Sequence, residues 1–357
     1  MKVTLPKSKK SYRVAVVMWW KGDDIAEAIF TSLQQLGHDP VYFLFDEEIP
    51  SNSEIVITFA PYGPLLPILR KVSSIAAQKR PILVHWDTEG IPNPNTPWWL
   101  LRYVGGFLSL YDRLYEPTNP SYRKLASILP LFINKYGFRI RLDGLYHYAY
   151  KNGLINVFIE TSKFYANINN MHGLPTRYVP WGTHTSWYSK MNIERDIDVL
   201  WMGSRRSKRR IRLINRIREE LDSKGFRMHI IDGIENRAVF GDERNIIFNR
   251  SKTTLNILPA WYFNSFTFRY HLAAGNRTLV VSEPILSHCP KYQPGINYVS
   301  SRVEDLVETI LFYLTNLEER GKIVEQAYQL VTTEMTFINS VNKIMDIATE
   351  YLDENYR

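Results

Sequence analysis

Two successive series of alternating strand-like and helix-like segments restrict the fold of this chain more than any other feature. In the first series, β-branched runs such as Tyr12–Met18 and Ile55–Phe59 alternate with helical patterns such as Asp24–Leu36. In the second series, the strand-like run Asp198–Met202 precedes a basic helical stretch that ends near Gly225. Strands that alternate with helices indicate βαβ units, which build parallel sheets. We therefore predict an α/β chain with two Rossmann-like domains that face each other across a cleft.

The break between the two series sets the predicted domain boundaries. Residues 1–185 are expected to form an N-terminal Rossmann-like domain, and residues 195–337 a C-terminal one. The last helical segment, residues 338–357, is expected to pack back on the N-terminal domain. Ligands of such sheets bind beyond the carboxyl ends of the strands, so the ligand is expected in the cleft between the domains.

The composition excludes several other classes of protein. A chain of 357 residues with 45% hydrophobic and 22% charged residues can bury a full core, which excludes intrinsic disorder. The single cysteine, Cys289, has no partner for an intrachain disulfide and is typical of a reducing compartment. No run reaches 18 apolar residues, so no spanning helix is predicted. We expect a cytoplasmic protein, with peripheral contact at the inner face of the membrane as an open alternative.

The basic surplus of the chain is concentrated in one segment. Lys and Arg number 44 against 36 Asp and Glu, and eight basic residues with no acidic one lie between Arg205 and Arg218. Such a surplus favours an anionic partner, which is a nucleotide, a nucleic acid or a membrane surface. A solvated basic helix face explains the segment equally well. We expect no nucleic-acid partner, because no aromatic side chains are interleaved with the basic ones.

Two loops of the second series have the character of an anion site. Gly203-Ser204-Arg205 follows a predicted strand and opens a helix, where N–H groups and the helix dipole favour phosphate. The segment from Asn264 to His271 leads into the strand Thr278–Val281 and carries an arginine and a histidine. No dinucleotide-binding or P-loop pattern occurs, so a structural turn and a packing role for the histidine remain open.

Candidate acid and base residues lie in the first series and at the domain junction. His85, Asp87 and Glu89 follow a predicted strand, and His184 lies in the junction loop. A carboxylate or a neutral imidazole at the mouth of the cleft can accept a proton from an attacking hydroxyl. Each of these residues is also compatible with a helix cap or a solvated position. No zinc-ligand spacing is present, so no metal is expected.

The second series resembles the nucleotide-binding half of group 1 glycosyltransferases, which have the GT-B fold. The resemblance covers about residues 195–335 and rests on the glycine turn at Gly203, the basic helix, Leu272–Gly275 and Ser282-Glu283-Pro284. The junction loop Pro180–His184 resembles the Pro-x-Gly-x-Asp loop of the same family.

This resemblance implies an activity and a set of donor-binding residues. It implies a metal-independent, hexosyltransferase-like enzyme that moves a sugar from a UDP or GDP donor to the hydroxyl of a saccharide, a lipid-linked molecule or a small molecule. No cofactor other than the nucleotide-sugar substrate is implied. The basic residues after the glycine turn are implied to contact the donor diphosphate. The implied donor-binding residues are Gly203, Ser204, Arg205, Arg209, Lys252, Asn264, Ser265, Phe266, Thr267, Arg269, Tyr270 and His271.

Two tyrosines depart from the family pattern. Tyr262 and Tyr270 stand where the family often has two glutamates eight residues apart. This departure suggests a relation to the divergent, spore-protein-like branch of the family. It also keeps open the alternative of a non-catalytic nucleotide-sugar-binding protein with a degenerate GT-B site. The stretch Trp98–Tyr103 combines aromatic and basic side chains, so it is either a membrane-interface segment or a packed helix.

Overall fold

The computed structural model describes residues 10–59, 65–88, 95–107, 131–205, 207–259, 267–285 and 289–355. These residues form two parallel sheets. The six-stranded first sheet has the order β2-β1-β3-β4-β5-β6. Its strands are β1 Arg13–Met18, β2 Asp39–Leu44, β3 Ile55–Phe59, β4 Ile82–Asp87, β5 Val157–Glu160 and β6 Thr176–Tyr178.

The second sheet is five-stranded and has the order β11-β10-β9-β7-β8. Its strands are β7 Ile197–Met202, β8 Met228–Ile231, β9 Ser251–Asn256, β10 Leu279–Ser282 and β11 Val299–Ser300. Every pairing within both sheets is parallel, as expected from strands that alternate with helices.

Ten α-helices connect the strands within the described residues. The helices are α1 Asp24–Gln35, α2 Leu65–Ser74, α3 Leu131–Lys151, α4 Lys163–Met171, α5 Lys208–Ser223, α6 Gly241–Arg250, α7 Thr267–Gly275, α8 Leu306–Thr315, α9 Leu317–Gln329 and α10 Phe337–Asn355. None of the described helices is long and apolar enough to cross a membrane.

Helices cover both faces of the first sheet, because alternate strand residues point to opposite faces. Val14 and Val16 of β1 belong to the hydrophobic core that contains Ile29 of α1. Ala15 and Val17 of the same strand belong to the core on the other face, with α2 and α3. In the second sheet, Ile214, Ile217 and Leu221 of α5 pack against β7 with the spacing of one helix face.

The strand order of each sheet reverses at one point, and this point locates the ligand site in such folds. In the first sheet the reversal lies between β1 and β3, and in the second between β7 and β9. The carboxyl ends of β7 and β9 are Met202 and Asn256, and the glycine turn at Gly203 directly follows β7. The second reversal therefore coincides with the loop that the sequence marks as an anion site.

The chain crosses between the two sheets twice, and the two crossings pair with each other. Thr183 N donates to Met335 O at 2.8 Å, and Phe337 N donates to Thr183 O at 2.9 Å. Gly182 is required there, because a Cβ at this position would lie 2.4 Å from Thr336 O. Beyond this crossing, helix α10 packs against α1, β4 and β5 of the first sheet. The predicted boundaries 1–185, 195–337 and 338–357 stay a prediction.

Candidate functional site

A cavity of about 550 Å³ opens at the carboxyl ends of β7 and β9. Its wall is formed by the turn after β7, the loop after β8, the end of β9 and helices α5, α6 and α7. The lining residues are Met202, Gly203, Ser204, Arg210, Ile231, Asp232, Gly233, Ala238, Val239, Phe240, Arg244, Phe248, Asn256, Leu258, Pro259, Phe268, Arg269 and Leu272. The size falls within the range of small-molecule sites.

Arg269 places a largely buried guanidinium in this wall. Its Nε donates to Met202 O at 2.9 Å, and its Nη1 donates to Asn256 Oδ1 at 3.1 Å. Burial, and to a smaller degree the charge of Arg210, lowers the pKa of Arg269 to about 9, so the side chain stays cationic at neutral pH. Among the described residues, no carboxylate forms an ion pair with Arg269. A desolvated cation with this environment favours an anionic ligand.

Gly203 lets Arg269 reach this position. The φ of Gly203 is +139°, and a Cβ at this residue would lie 2.4 Å from Arg269 Nη2. Any other side chain would therefore collide with the guanidinium or displace it. The glycine after β7 is explained by the close approach of Arg269 to the backbone, as well as by its dihedral angle.

Arg210 supplies a second guanidinium to the same end of the cavity. Its Nε donates to Ile257 O at 2.8 Å, and its Nη1 donates to Ser204 O at 3.3 Å. The indole of Trp201 contacts both cations, with its ring centroid 5.5 Å from the guanidinium of Arg210 and 4.6 Å from that of Arg269. Helix α5 begins at this end as well, with Ser207 as its N-cap. Two guanidinium groups and a helix N-terminus thus converge at the turn after β7.

Comparisons with known proteins show a similarity between this domain and a family. Residues 206–346 match the family model described as "Glycosyl transferase-like". Helices α5, α6 and α7, the loop after β8 and the end of β9, which build most of the cavity, lie inside this match. Residues 206–346 are therefore similar to this glycosyltransferase family. A comparison with curated protein sequences found no significant match.

Solved structures with the GT-B fold match this chain over almost its whole length. HepE of Anabaena, solved in complex with UDP, is 10% identical with a TM-score of 0.57, over 96% of this chain and 100% of that chain. Sucrose-phosphate synthase of Thermosynechococcus elongatus is 9% identical with a TM-score of 0.57, over 96% of this chain and 100% of that chain. WaaG, a glycosyltransferase involved in lipopolysaccharide biosynthesis, is 11% identical with a TM-score of 0.52, over 94% of this chain and 99% of that chain.

Three of the predicted donor-binding cations of the second domain lie outside the lining of the cavity. Arg205 pairs with Asp232 at 2.5 Å and with Glu235 at 3.1 Å. Arg209 forms two hydrogen bonds to Glu283, at 2.9 and 2.5 Å. Lys252 pairs with Asp198 at 2.6 Å near the amino end of β9, whereas the cavity lies at the carboxyl end. Of the cations predicted from the sequence, the structure brings Arg269 to the cavity wall.

The remaining predicted donor residues lie in different environments in the structure. Gly203 and Ser204 line the cavity. Tyr270 is buried, and its hydroxyl donates to Asn297 O at 3.1 Å. Buried His271 bonds Thr183 Oγ1 at 2.6 Å and Tyr292 OH at 2.8 Å, which corresponds to the packing role that the sequence left open. Asn264, Ser265 and Phe266 lie outside the described residues, as does Tyr262, and Thr267 is the first residue of α7.

Two of the candidate acid and base residues, His85 and Asp87, lie on the same face of the first sheet. His85 and Asp87 of β4 point to the face that carries α3, where His85 bonds Thr58 Oγ1 at 2.8 Å and Tyr146 OH at 3.2 Å. Burial lowers the pKa of His85 to about 3, so its imidazole is neutral. Trp86 points to the other face and stacks on Trp181.

His184 lies on the side of the Trp86–Trp181 stack, away from His85. Its ring centroid is 6.1 Å from that of Phe337, which also packs on Trp181. Its Nε2 lies 3.0 Å from Thr31 Oγ1, and its Nδ1 lies 2.8 Å from Ser186 Oγ. The fourth candidate, Glu89, falls outside the described residues.

Asp87 belongs to a group of buried carboxyls at the carboxyl ends of β4 and β5. Asp87 is the register partner of Glu160, and Asp143 of α3 lies close enough for its charge to interact with that of Asp87. Burial, and then the charge of Asp87, raises the pKa of Asp143 to about 7 and raises that of Glu160. Asp143 and Glu160 therefore hold protons at pH values at which ordinary carboxyls are ionised.

The sequence analysis missed Arg210, Asn256 and Arg244 as residues of the cavity wall. Arg210 directly follows Arg209 in one basic run, and only the rotation of helix α5 decides which of the two faces the cavity. Asn256 ends β9, so its position at a predicted strand end was an available signal. Arg244 lies on α6, which carries no recognisable motif. No group of three or more His, Cys, Asp or Glu side chains among the described residues is arranged to hold a metal ion.

Proposed function

We propose that this protein transfers a sugar from a nucleoside diphosphate sugar to an acceptor hydroxyl, with the donor bound in the cavity of the second domain. The observation that carries the proposal is the pair Arg269 and Arg210 beside Gly203 at the strand-order reversal. The family match and the GT-B fold support it independently. The known UDP and UDP-glucose complexes of HepE favour a UDP-sugar as the donor.

The two ends of the cavity suit the two ends of such a donor. The end near Gly203 is cationic, whereas the loop after β8 contributes the apolar side chains of Ile231, Val239 and Phe240. We propose that the diphosphate lies at the cationic end and that the nucleoside base lies against the loop after β8. Negative charge develops on the diphosphate as the glycosidic bond breaks, and desolvated guanidinium groups stabilise that charge more strongly than exposed ones.

We propose that Arg210 and Arg269 carry this charge without a metal ion. Their positions at the cavity wall support the proposal, because a cation there neutralises the leaving diphosphate directly. Transfer measured with EDTA and with added Mg²⁺ or Mn²⁺ tests it. Equal rates are expected in all three conditions, and a rate that requires the added metal would contradict metal-independent transfer.

We propose Asp87 and Glu89 as the candidate proton acceptors for the attacking hydroxyl. Asp87 ends β4, at the edge of the first sheet where a ligand is expected, and Glu89 lies two residues later in the sequence. His85 and His184 suit a positioning role better, because both nitrogens of each ring already have a hydrogen-bond partner. Asp87→Asn and Glu89→Gln are expected to lower the transfer rate while UDP affinity stays within about twofold.

A panel of nucleotides tests the proposed function. Calorimetry with UDP, GDP, ADP and CDP should detect one preferred nucleoside diphosphate. Incubation with the matching nucleotide sugars and a range of saccharide and lipid-linked acceptors should then release that diphosphate. Failure of every nucleotide to bind would contradict the proposed donor site.

The alternative is a non-catalytic nucleotide-sugar-binding protein. The observation that favours it is the buried Tyr270, whose hydroxyl is committed to Asn297 O at a position where the family often has a glutamate. This alternative predicts nucleotide binding with no release of the diphosphate from any sugar donor. The same panel therefore separates the two functions.

We also propose a peripheral contact with an anionic bilayer through residues 98–107. Four large aromatic side chains are exposed within this segment, namely Trp98, Trp99, Tyr103 and Phe107. The guanidinium of Arg102 lies 5.9 Å from the ring centroid of Trp98, so a cation accompanies the aromatic surface. In a flotation experiment with vesicles of anionic lipid, the wild type should float with the vesicles, whereas the double variant Trp99→Ser/Phe107→Ser should stay at the bottom of the gradient. Equal flotation of both proteins would contradict this contact.

A further inference from the structure

One arginine in the wall of the cavity also contacts the first domain. Arg244 of α6 lines the cavity and is only 3% exposed. Its Nη1 donates to Oδ2 of Asp24 at 3.0 Å, and Asp24 is the first residue of α1. Its guanidinium lies 5.1 Å from the ring centroid of Phe268, which lines the cavity as well. A single side chain thus contacts the cavity wall and a helix of the other domain.

The cap of α1 makes Asp24 available for this contact. Asp23 is the N-cap, and its carboxylate accepts hydrogen bonds from Ile25 N and Ala26 N. Asp24 follows the cap, and its carboxylate pairs with Arg244. Arg244–Asp24 is the only ion pair that the described residues form between residues 10–178 and residues 196–334.

Arg244 retains one buried donor to which no described residue offers an acceptor. Among the residues that the structure describes, its Nε has no hydrogen-bond partner, although the side chain is almost completely buried. A guanidinium presents its N–H groups as a planar fork and can donate to two anions at once. Helix α6 is fixed in place by Asn245, whose Nδ2 donates to Ser186 O at 3.1 Å in the segment after the junction loop. The backbone around Arg244 is therefore anchored while its Nε lacks an acceptor.

We propose that Arg244 is a positioning residue that transmits the occupancy of the donor cavity to helix α1. The proposal rests on the proposed donor site. The donor diphosphate and Asp24 attract the same guanidinium, and Nε is the donor available to the diphosphate while Nη1 holds Asp24. Donor binding then strengthens the contact between the domains, and by reciprocity this contact raises the affinity for the donor.

Hydrogen–deuterium exchange of the full chain with and without saturating UDP tests this link. In the wild type, UDP is expected to slow exchange in the first turn of α1, although α1 lies in the other domain. Arg244→Gln is expected to bind UDP more weakly and, when saturated, to show no such slowing. The matched control is Arg250→Gln on the same helix, because Arg250 pairs with Asp196 within the second domain. This control should retain the slowing.

Asp24→Asn tests the same link from a position outside the cavity lining. It is expected to weaken UDP binding about fivefold and to leave uridine binding unchanged, because uridine lacks the diphosphate. Unchanged or tighter UDP binding would overturn the inference, since it would make Asp24 merely a neutral bystander or a competing anion. An identical slowing in Arg244→Gln and the wild type would overturn it too. If UDP does not bind the wild type at all, the proposed donor site itself fails and this inference fails with it.

Discussion

The guanidinium of Arg269 lies so close to the backbone of Gly203 that a Cβ at Gly203 would come within 2.4 Å of Nη2. This contact joins the turn after β7 to helix α7, two segments more than sixty residues apart in the chain. It places a buried cation at the strand-order reversal of the second sheet, where the fold is expected to bind its ligand.

Gly203→Ala should displace Arg269 and weaken UDP binding at least about tenfold, which corresponds to about 1.4 kcal/mol. Calorimetric titration measures the change. Gly225→Ala is the matched control, because Gly225 also has a positive φ, of +81°, but a Cβ there meets no atom within 4 Å. If both variants bind UDP equally well, the close approach of Arg269 has no role in binding.

Arg210→Gln should weaken UDP binding more than Arg205→Ala does. Arg210 lines the cavity, whereas Arg205 is already paired with Asp232 and Glu235. We expect a loss of about tenfold or more for Arg210→Gln and a clearly smaller loss for Arg205→Ala. Titration of both variants with UDP under the same salt conditions decides the order. The reverse order would assign the diphosphate to Arg205, as the family resemblance alone implies.

His271 should make the protein less stable in mild acid. Burial lowers its pKa in the folded state to about 3, against 6.5 for an ordinary histidine, so the unfolded state binds more protons between these pH values. Its contribution to stability is therefore present above pH 6.5 and is lost as the pH falls toward 3. His85 contributes in the same direction. Asp143, whose pKa burial raises to about 7, contributes in the opposite direction.

A comparison with His271→Gln isolates the contribution of this one histidine. Between pH 7 and 5.5, the wild type should lose about 1 kcal/mol more stability than the variant does. Thermal unfolding across this pH range measures the difference. Parallel pH dependence of the two proteins would show that His271 titrates normally in the folded state.

Gly182→Ala should destabilise the paired crossing between the domains. A Cβ at Gly182 would lie 2.4 Å from Thr336 O and 2.6 Å from Phe337 Cα, and neither backbone atom can move without disturbing the crossing. We expect a loss of about 1–3 kcal/mol, measured as a lower thermal midpoint. Gly321→Ala on α9, where a Cβ meets no atom within 4 Å, should leave the midpoint unchanged or raise it. Equal midpoints for both variants would contradict a tight crossing at Gly182.

The fold could be predicted from periodicity because most strands are short, buried and β-branched. The predicted strands Ile55–Phe59 and Met228–Ile231 have the bounds observed in the structure. The exact start of a helix is harder to predict than the helix itself. Asp23 and Asp24 both stand at the start of α1, and Asp23 is the cap, since its carboxylate reaches Ile25 N and Ala26 N. A shift of one residue decides which aspartate is available to Arg244.

The site was only partly predictable, because the sequence shows charge but not the pairing of charge. The basic segment from Arg205 to Arg218 predicted either an anionic partner or a solvated helix face. In the structure, acidic residues from distant segments pair with several of its members, as Glu235 does with Arg205 and Arg218. The cavity uses Arg210 from this segment and takes Arg269 from α7. Only the assembled sheet brings these two arginines together.

The most direct test of the central claim is calorimetric titration of the wild type with UDP and with uridine, at the same ionic strength. If the diphosphate lies at the Arg210–Arg269 end of the cavity, UDP should bind with a Kd between about 1 μM and 1 mM, and uridine at least about tenfold more weakly. Equal affinities for UDP and uridine would contradict the claim, and so would the absence of binding by any nucleoside diphosphate.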